Sequence, residues 1–321
     1  MADVLYIVVP CYKEEAVLPE TAKRLGEKLK KLIGVGKISE DSRILFVNDG
    51  STDGTWAQIE QLSAEGGLYA GCNLSRNRGH QNALLAGLDV ASKCADVTIS
   101  MDADLQDDID AVDRMLDQYF NGFDIVYGVR SKRDTDTFFK RVTAEGFYKV
   151  MHALGVESVF NHADYRLMSR RAVLGLLEFS EVNLFLRGLV PLVGFSSTTV
   201  EYERGERFAG ESKYPFKKML ALALDGITSF SIKPIRLILA GGILISVVGI
   251  LILIWSLIVK MTQHDTDGWT SLIGSIWIIG GVQMLSIGLI GEYIGKIYAE
   301  TKRRPRYIIE STLNTAARKE S

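Results

Sequence analysis

The sequence has few cysteines and almost no net charge. Its 321 residues include three cysteines, and the formal net charge is -2. Cys11, Cys72 and Cys94 are odd in number and lack metal-ligand spacing. They therefore predict ordinary thiols in a reducing compartment rather than a disulfide framework or a zinc site. The near-neutral charge gives no indication that the protein binds nucleic acid.

The N-terminus lacks the features of a secretory signal peptide. Asp3 stands where a basic segment is expected, and the apolar run that follows it is short. We therefore expect Val4–Pro10 to be a first β-strand, and the domain that it begins to remain in the cytosol.

Charge is also missing from two long segments near the C-terminus. Leu237–Val259 and Trp269–Gly291 contain no Asp, Glu, Lys or Arg. As helices, each would be about 34 Å long, enough to cross a hydrocarbon core of about 30 Å. Two such segments in tandem predict a transmembrane hairpin joined by the short link KMTQHDTDG. The alternative is a pair of buried helices in a soluble protein.

Basic residues are concentrated on one side of this predicted hairpin. By the positive-inside rule, they predict a multi-pass protein of the inner or plasma membrane, with both termini and the large N-terminal domain in the cytoplasm. Two spans per chain are also compatible with a homo-oligomer. The basic residues are Lys217, Lys218, Lys233 and Arg236 before the first span, and Lys296, Lys302, Arg303, Arg304 and Arg306 after the second.

Composition divides the chain into four parts. The third contains the two spans, 237–259 and 269–291, and the fourth is a polar tail expected to be loosely ordered beyond Arg306. The second is apolar but interrupted by charges, and we interpret it as a helix along the membrane surface, with a core helix of the soluble domain as the alternative. The parts are a cytoplasmic domain at 1–215, the interfacial region at 216–234, the spans at 235–298 and the tail at 299–321.

Strand-like and helix-like segments alternate through the cytoplasmic domain. The first strand is followed by a segment with leucines on one face, and the alternation continues to a fifth strand at Phe123–Arg130. This order predicts an α/β fold with a mostly parallel sheet and helices on both faces. Ligands bind such sheets at the carboxyl ends of the strands. Three predicted strands end there in polar motifs: PCYKEE (10–15), NDGSTDGT (48–55) and DADLQDD (102–108).

The motif SMDADLQDD concentrates negative charge directly after the fourth predicted strand. Carboxylates this close together repel one another unless a cation lies among them. If the chain turns here, Asp102, Asp104 and the Gln106 amide would face one hard cation, Mg²⁺ or Mn²⁺, which commonly shares its oxygen ligands with substrate phosphates. We interpret Asp107 and Asp108 instead as the acidic start of the next helix.

Six motifs in this order, followed by two apolar spans, resemble glycosyltransferase family 2. The likeness is to the polyprenyl-phosphate branch, which includes bactoprenol glucosyltransferases and dolichyl-phosphate mannose synthases. It extends from Val4 to about Tyr307 and implies a GT-A fold, inverting transfer and a divalent metal, Mg²⁺ or Mn²⁺. The motifs are VVPCYKEE, VNDGSTDGT, LSRNRGHQNALLAGL, MDADLQD, DYRLMSR and RFAGESKYP.

The resemblance implies a nucleotide site at the strand ends. Asp49 looks like the carboxylate that reads the base edge, with an ordinary turn aspartate as the alternative. Arg76 and Gly79 match positions beside the phosphates, where arginine offers a fork of donors and glycine permits close backbone approach. His80 is interpreted as a structural polar residue of that loop. The residues assigned to the nucleotide are Pro10, Tyr12, Glu14, Asp49, Arg76, Gly79 and Asp102.

The same resemblance implies the residues around the reacting sugar. Asp102, Asp104 and Gln106 would hold the metal, which neutralises charge on the departing diphosphate. Asp164 and Arg166, in HADYRLMSRRAV, would be the catalytic residues. Because a phosphate acceptor is largely ionised at neutral pH, Asp164 either accepts a proton or only orients the substrate.

Further cations suit a lipid phosphate. By the resemblance, Arg187 in NLFLRGLV and the trio Arg207, Ser212 and Lys213 in RFAGESKYP would bind the acceptor phosphate. The alternative for each arginine is a solvated surface residue. RFAGESKYP lies shortly before the predicted membrane segment, where a lipid phosphate would be found.

The motifs together predict an enzyme that transfers a hexose, glucose from UDP-glucose, to undecaprenyl phosphate at the cytoplasmic membrane face. GDP-mannose, UDP-GlcNAc and aminosugar nucleotides are the alternative donors, and a non-catalytic membrane scaffold that binds lipid phosphate is the alternative function. The sequence has no Q-x-x-R-W motif, which argues against a processive polysaccharide synthase. It also has Asp107 and Asp108 where the family often has proline.

Overall fold

The chain forms two compact units. In the computed structural model, the first consists of Met1–Ala144, Glu157–Tyr214 and Arg304–Ser321, and the second of Glu145–Val156 and Pro215–Arg303. The residues that the structure describes are 2–130, 162–181, 186–203, 205, 235–236, 238–245, 247–248, 251, 254 and 269–315.

The first unit is built on an eight-stranded sheet with the order β7-β5-β6-β4-β1-β2-β3-β8. Its strands are β1 (Leu5–Cys11), β2 (Arg43–Asn48), β3 (Tyr69–Leu74), β4 (Val97–Ser100), β5 (Ile125–Arg130), β6 (His162–Ser169), β7 (Ser197–Tyr202) and β8 (Ile309–Leu313). Its described helices are α1 (Leu18–Gly34), α2 (Thr55–Ala64), α3 (His80–Ser92), α4 (Ala111–Phe120), α5 (Arg170–Leu177) and α6 (Leu186–Leu192).

Four central strands run parallel, as predicted. β1 pairs in parallel with both β2 and β4, and β2 pairs in parallel with β3. Helices cover both faces of parallel sheets, which explains why β1 is an unbroken apolar run that is buried at every position. The predicted α/β fold with a mostly parallel sheet is confirmed.

Helix α1 shows how the sequence pattern becomes packing. Leu18, Leu25, Leu29 and Leu32 are all buried in the core against the sheet. Their spacing places them on one helix face, and each buried leucine contributes about 1.5–3 kcal/mol relative to an exposed one. Proline in the first turn suits the helix start, where its missing N–H leaves no bond unmade.

Sequence reasoning missed three strands. β6 runs antiparallel between β4 and β5, and β7 pairs in parallel with β5. β8 pairs antiparallel with β3, so the expectation of a loosely ordered tail beyond Arg306 is wrong for Ile309–Leu313. The segment is short and polar, and the pairing that makes it a strand joins residues far apart in sequence.

The second unit contains one long described helix, α7 (Trp269–Thr301). It includes the second predicted span and continues past Gly291. Within the described residues, one helical segment, Ile278–Thr301, is long and apolar enough to cross a membrane. No residue in its most apolar stretch is buried. The predicted interfacial region 216–234 and much of the first predicted span lie outside the described residues.

Candidate active site

Loops at the carboxyl ends of β1 and β2 are tied together. The backbone N–H of Lys13 donates to Ser51 Oγ at 3.1 Å, and that of Glu14 donates to Thr55 Oγ1 at 3.0 Å. Pro10 is buried in β1, whereas the side chain of Tyr12 is exposed next to this junction. Tyr12 therefore places exposed aromatic surface beside the polar edge of the sheet, with the Lys13 Nζ 5.6 Å from the centre of its ring.

Asp49 fixes the loop that follows β3. It is buried, its Oδ1 accepts a hydrogen bond from the N–H of Arg78 at 2.6 Å, and its Oδ2 accepts one from Gly79 at 2.9 Å. Burial raises the pKa of Asp49, and these two bonds oppose that rise. The carboxylate predicted to read the base thus holds the loop that carries Arg76 and Gly79.

Gly50 brings the β2 and β3 loops into direct contact. Its φ is +62°, and a Cβ at this position would lie 2.4 Å from the backbone nitrogen of Asn77 and 2.5 Å from the carbonyl carbon of Arg76. Only glycine tolerates both the backbone conformation and the close approach. Sequence reasoning passed over Gly50, although Asn-Asp-Gly is a turn sequence.

The metal motif leaves its strand at Ser100, the last residue of β4. Leu105 has a φ of +59°, and the N–H of Gln106 donates to Asp104 Oδ1 at 3.2 Å, so the chain turns sharply here. Because Asp102 and Asp104 follow the strand, this turn, and not the alternation of side chains along a strand, sets the directions of their carboxylates.

The metal motif is rich in negative charge. Burial and three neighbouring carboxylates raise the pKa of Asp102 to about 6, and His80 opposes the shift. Among the described residues, no three His, Cys, Asp or Glu side chains form a ready-made metal centre. Two carboxylates beside an open edge nevertheless fit Mg²⁺ or Mn²⁺, which fills its other positions with water and substrate phosphate. The neighbouring carboxylates are Asp107, Asp164 and Asp104.

Asp164 lies between two arginines. Arg166 Nη2 donates to its Oδ1 at 2.7 Å, and Arg187 donates to its two oxygens from Nε and Nη2, each at 3.4 Å. Burial would raise the pKa of Asp164, but the two guanidinium groups outweigh it and hold the pKa well below the usual range. The group is a stable carboxylate and therefore a weak proton acceptor.

The two arginines differ in their surroundings. Arg166 is buried in β6, and its Nη1 donates to the carbonyl oxygen of Leu186 at 3.5 Å. Arg187, the next residue of α6, has a side chain that is 37% exposed. The N–H of Leu186 also donates to Gln81 Oε1 at 3.0 Å, which ties α6 to the first turn of α3.

His80 connects the two acidic groups. Its Nε2 lies 3.5 Å from Asp102 Oδ1 and 3.8 Å from Asp164 Oδ2. The motif alone predicts a structural polar residue of the loop at His80. The sequence feature that could have indicated a role in the site is the position of His80. It follows Gly79 as the first residue of α3, at the sheet edge where the motifs meet.

Asp107 does not begin the next helix, so that interpretation is wrong. α4 starts at Ala111, whereas Asp107 is buried and accepts a 2.5 Å hydrogen bond from the hydroxyl of Tyr202 in β7. Asp108 does lie in the turn before the helix, where its Oδ1 accepts from the N–H of Asp110 at 2.9 Å.

Three predicted acceptor residues, Arg207, Ser212 and Lys213, lie outside the described residues. The fourth, Arg187, lies beside Asp164. The described residues that the structure brings together therefore join the metal motif, the predicted catalytic pair and one predicted acceptor residue at a single edge.

Comparisons with known proteins identify relatives of this chain. The model of glycosyl transferase family 2 matches residues 6–176, and that of the GtrB C-terminal hairpin matches residues 233–297. Glucosyl-3-phosphoglycerate synthase from Mycobacterium tuberculosis, a solved structure, is 17% identical with a TM-score of 0.43, and the match covers 70% of this chain and 78% of that one.

Two curated relatives are similar over nearly their whole length. The uncharacterized glycosyltransferase YkoT of Bacillus subtilis (strain 168) is 52% identical, over 97% of this chain and 92% of that protein. The bactoprenol glucosyl transferase of Shigella phage SfX is 40% identical, over 95% of this chain and 98% of that protein. This chain belongs to glycosyltransferase family 2.

Proposed function

We propose that this protein transfers glucose from UDP-glucose to a polyprenyl phosphate such as undecaprenyl phosphate. The observation that carries the proposal is the cluster at the sheet edge, in which His80 lies between Asp102 and Asp164 and Arg187 faces Asp164. The Shigella phage relative is named a bactoprenol glucosyl transferase, which supports both glucose and a bactoprenol acceptor.

The donor would bind across the β1, β2 and β3 loops. Tyr12 offers its exposed ring to the base. Asp49, through Arg78 and Gly79, holds the glycine-containing loop where backbone can approach the phosphates. Pro10, Glu14 and Arg76 complete the proposed nucleotide site.

Asp102 and Asp104, with Gln106, would hold a divalent cation, Mg²⁺ or Mn²⁺. When bound, this cation would stabilise the charge that develops on the departing nucleoside diphosphate. The excess of carboxylates around Asp102 supports the assignment, because a cation would offset their mutual repulsion. His80, whose Nε2 lies 3.5 Å from Asp102 Oδ1, would be a hydrogen-bond donor close to the same charge.

Asp164 would orient rather than accept a proton. A carboxylate held at a low pKa by Arg166 and Arg187 is a weak base. The acceptor phosphate supplies an oxygen that is already ionised at neutral pH, so the attack needs no strong base. Arg187 would then face both Asp164 and the acceptor phosphate, and Arg207, Ser212 and Lys213 would complete its binding.

The membrane part would bring the lipid within reach. We propose a multi-pass protein of the inner or plasma membrane, with spans at 237–259 and 269–291 and both termini in the cytoplasm. The exposed apolar side chains of α7, such as Met284 and Leu285, support contact with lipid. The hairpin match over 233–297 supports a second span.

A donor panel tests the proposal. Membranes that contain the protein are given Mg²⁺ or Mn²⁺, undecaprenyl phosphate and radiolabelled UDP-glucose, UDP-GlcNAc or GDP-mannose. We expect an acid-labile labelled lipid from UDP-glucose that disappears with EDTA and with Asp104→Asn. Labelled lipid from another donor only would overturn the choice of glucose. No labelled lipid from any donor would favour the non-catalytic scaffold.

A further inference from the structure

A buried hydrogen bond joins the metal loop, defined as residues 101–110, to the last residue of β7. The hydroxyl of Tyr202 donates to Asp107 Oδ1 at 2.5 Å, and these residues are 2% and 4% exposed. A second bond follows three residues later, where the N–H of Gly205 donates to the carbonyl oxygen of Gln106 at 2.9 Å. The end of β7 is therefore tied to the metal motif itself.

Two further contacts reinforce this junction. The hydroxyl of Tyr165 donates to the carbonyl oxygen of Asp108 at 2.9 Å. The rings of Tyr165 and Tyr202 pack edge to face, with their centroids 5.2 Å apart. Tyr165 lies between Asp164 and Arg166 in the sequence of β6. The same buried tyrosine pair thus touches both the metal loop and the strand that carries the proposed catalytic residues.

Burial of the Asp107 carboxylate is unfavourable for the free energy of folding. Its Oδ2 is buried and has no hydrogen-bond partner among the described residues. Burial raises its pKa, and the rise is opposed by the bond from Tyr202 and by the Arg130 guanidinium, whose Nη2 lies 4.0 Å from Asp107 Oδ1. A carboxylate with one unmet oxygen in a buried site is unfavourable for stability, so a role in holding the loop accounts for it better than stability alone.

We propose that Tyr202 and Asp107 are positioning residues that couple the metal loop to residues 201–205. This inference rests on the proposed function. Binding of metal and nucleotide at the metal loop would be transmitted through the Tyr202–Asp107 bond to the end of β7. Arg207, one of the proposed acceptor residues, follows Gly205 by two positions in the sequence, so the coupling would prepare acceptor binding once the donor is in place.

Hydrogen exchange on the full-length protein in detergent tests the coupling, with Mn²⁺ and UDP as probes. In the wild type, we expect Mn²⁺ and UDP to slow exchange in both 101–110 and 201–205. In Tyr202→Phe, the effect should persist in 101–110 and be lost in 201–205. Tyr119→Phe is the matched control, because it removes another tyrosine–aspartate bond, from Tyr119 to Asp3, away from the site.

Kinetics provide a second readout that separates positioning from a merely structural role. Tyr202→Phe should raise the KM for undecaprenyl phosphate about tenfold, with a smaller change in the KM for UDP-glucose. Asp107→Asn keeps an acceptor oxygen for the Tyr202 hydroxyl and should raise the KM for undecaprenyl phosphate less than Asp107→Ala, which should behave like Tyr202→Phe.

The outcomes distinguish the two proposals. If Tyr202→Phe keeps the 201–205 response, or if Tyr119→Phe loses it equally, the coupling is wrong while the proposed function stands. A wild type that responds in 101–110 alone leads to the same conclusion. If neither segment responds in the wild type and no labelled lipid forms with any donor, the proposed function fails, and the coupling with it.

Discussion

At the scale of single residues, the arginines at Asp164 show how burial separates two similar contacts. Arg166 is 2% exposed in the side chain and Arg187 is 37% exposed, yet both pair with the same carboxylate. Removal of the buried partner leaves Asp164 with the longer contacts to Arg187 alone and opens a cavity in the interior, whereas removal of the exposed partner leaves a site that water can enter.

We therefore expect Arg166→Ala to destabilise the protein by about 3–5 kcal/mol, and Arg187→Ala to leave stability within about 1 kcal/mol of the wild type. Arg187→Ala should still lower transfer strongly, because its guanidinium faces Asp164 at the site. Thermal unfolding and transfer assays on the same preparations measure both effects. Equal loss of stability in the two variants would contradict this reading of their surroundings.

Asp124 makes stability depend on pH. Arg171 donates from Nε and Nη2 to its two oxygens, each at 2.5 Å, and Ser169 Oγ donates at 2.8 Å. The bonds from Arg171, Ser169 and Ser196 lower the pKa of Asp124, against the effect of burial. A depressed folded pKa means stability that is present above the unfolded value of about 3.9 and is lost as pH falls through the folded one.

Asp124→Asn should therefore lower Tm at neutral pH and make the loss of Tm on acidification shallower than in the wild type. The measurement is Tm between about pH 3 and about pH 7. Asp41→Asn, at an exposed aspartate, is the control and should follow the wild-type curve. Parallel curves for Asp124→Asn and the wild type would exclude Asp124 as a source of the pH dependence.

At the scale of elements, the loops after β2 and β3 act as one surface because Gly50 lets their backbones touch. The sequence marks both loops as polar turns at strand ends. Their contact depends on strand order, since β2 and β3 are neighbours only once the sheet has formed.

Gly50→Ala should weaken UDP binding by about tenfold or more, because the new Cβ collides with the backbone of residues 76 and 77. Gly36→Ala is a matched control: Gly36 has a similar φ of +70° but nothing within 4 Å of its would-be Cβ. Both variants carry the backbone strain, and only the first carries the collision. Calorimetric titration with UDP and Mn²⁺ compares them, and equal affinities would refute the shared-surface interpretation.

The same scale shows why some elements were predictable. Leucines that repeat on one face predict helix α1, and an unbroken apolar run predicts strand β1. β6 contains Asp164 and Arg166, and polar residues such as these obscure the apolar pattern by which a strand is recognised in a sequence. Its place between β4 and β5 depends on pairing with segments far away in the sequence, which local patterns do not encode.

At the scale of the whole molecule, the chain leaves the first unit at Tyr214 and returns to it at Arg304. The returning segment becomes β8, and Asn73 Nδ2 donates to Glu310 Oε2 at 2.9 Å. Asn48 Nδ2 in turn donates to Asn73 Oδ1 at 2.7 Å, next to the loop of Asp49. The C-terminal strand thus supports the proposed nucleotide side of the sheet.

A chain that ends at Ile308 should have a Tm lower by about 5 °C or more, because it loses the pairing of β3 with β8. It should also bind UDP more weakly, since Asn73 loses its bond to Glu310. A chain that ends at Thr315 keeps the strand and is the control. Unfolding and UDP titration measure both, and identical behaviour of the two chains would show that β8 is dispensable.

The sequence alone determined the fold class and the strand-end motifs, because buried strands, amphipathic helices and turn residues leave local patterns. It also placed Asp102, Asp104, Asp164 and Arg187 among the candidate functional residues through their motifs. Three findings could be obtained only from the folded chain: His80 lies between two of these acids, Asp49 holds the β3 loop, and Asp107 bonds to Tyr202 instead of starting α4. Each of these facts is a contact between segments distant in the chain, and such contacts exist only after the sheet has set the order of its strands.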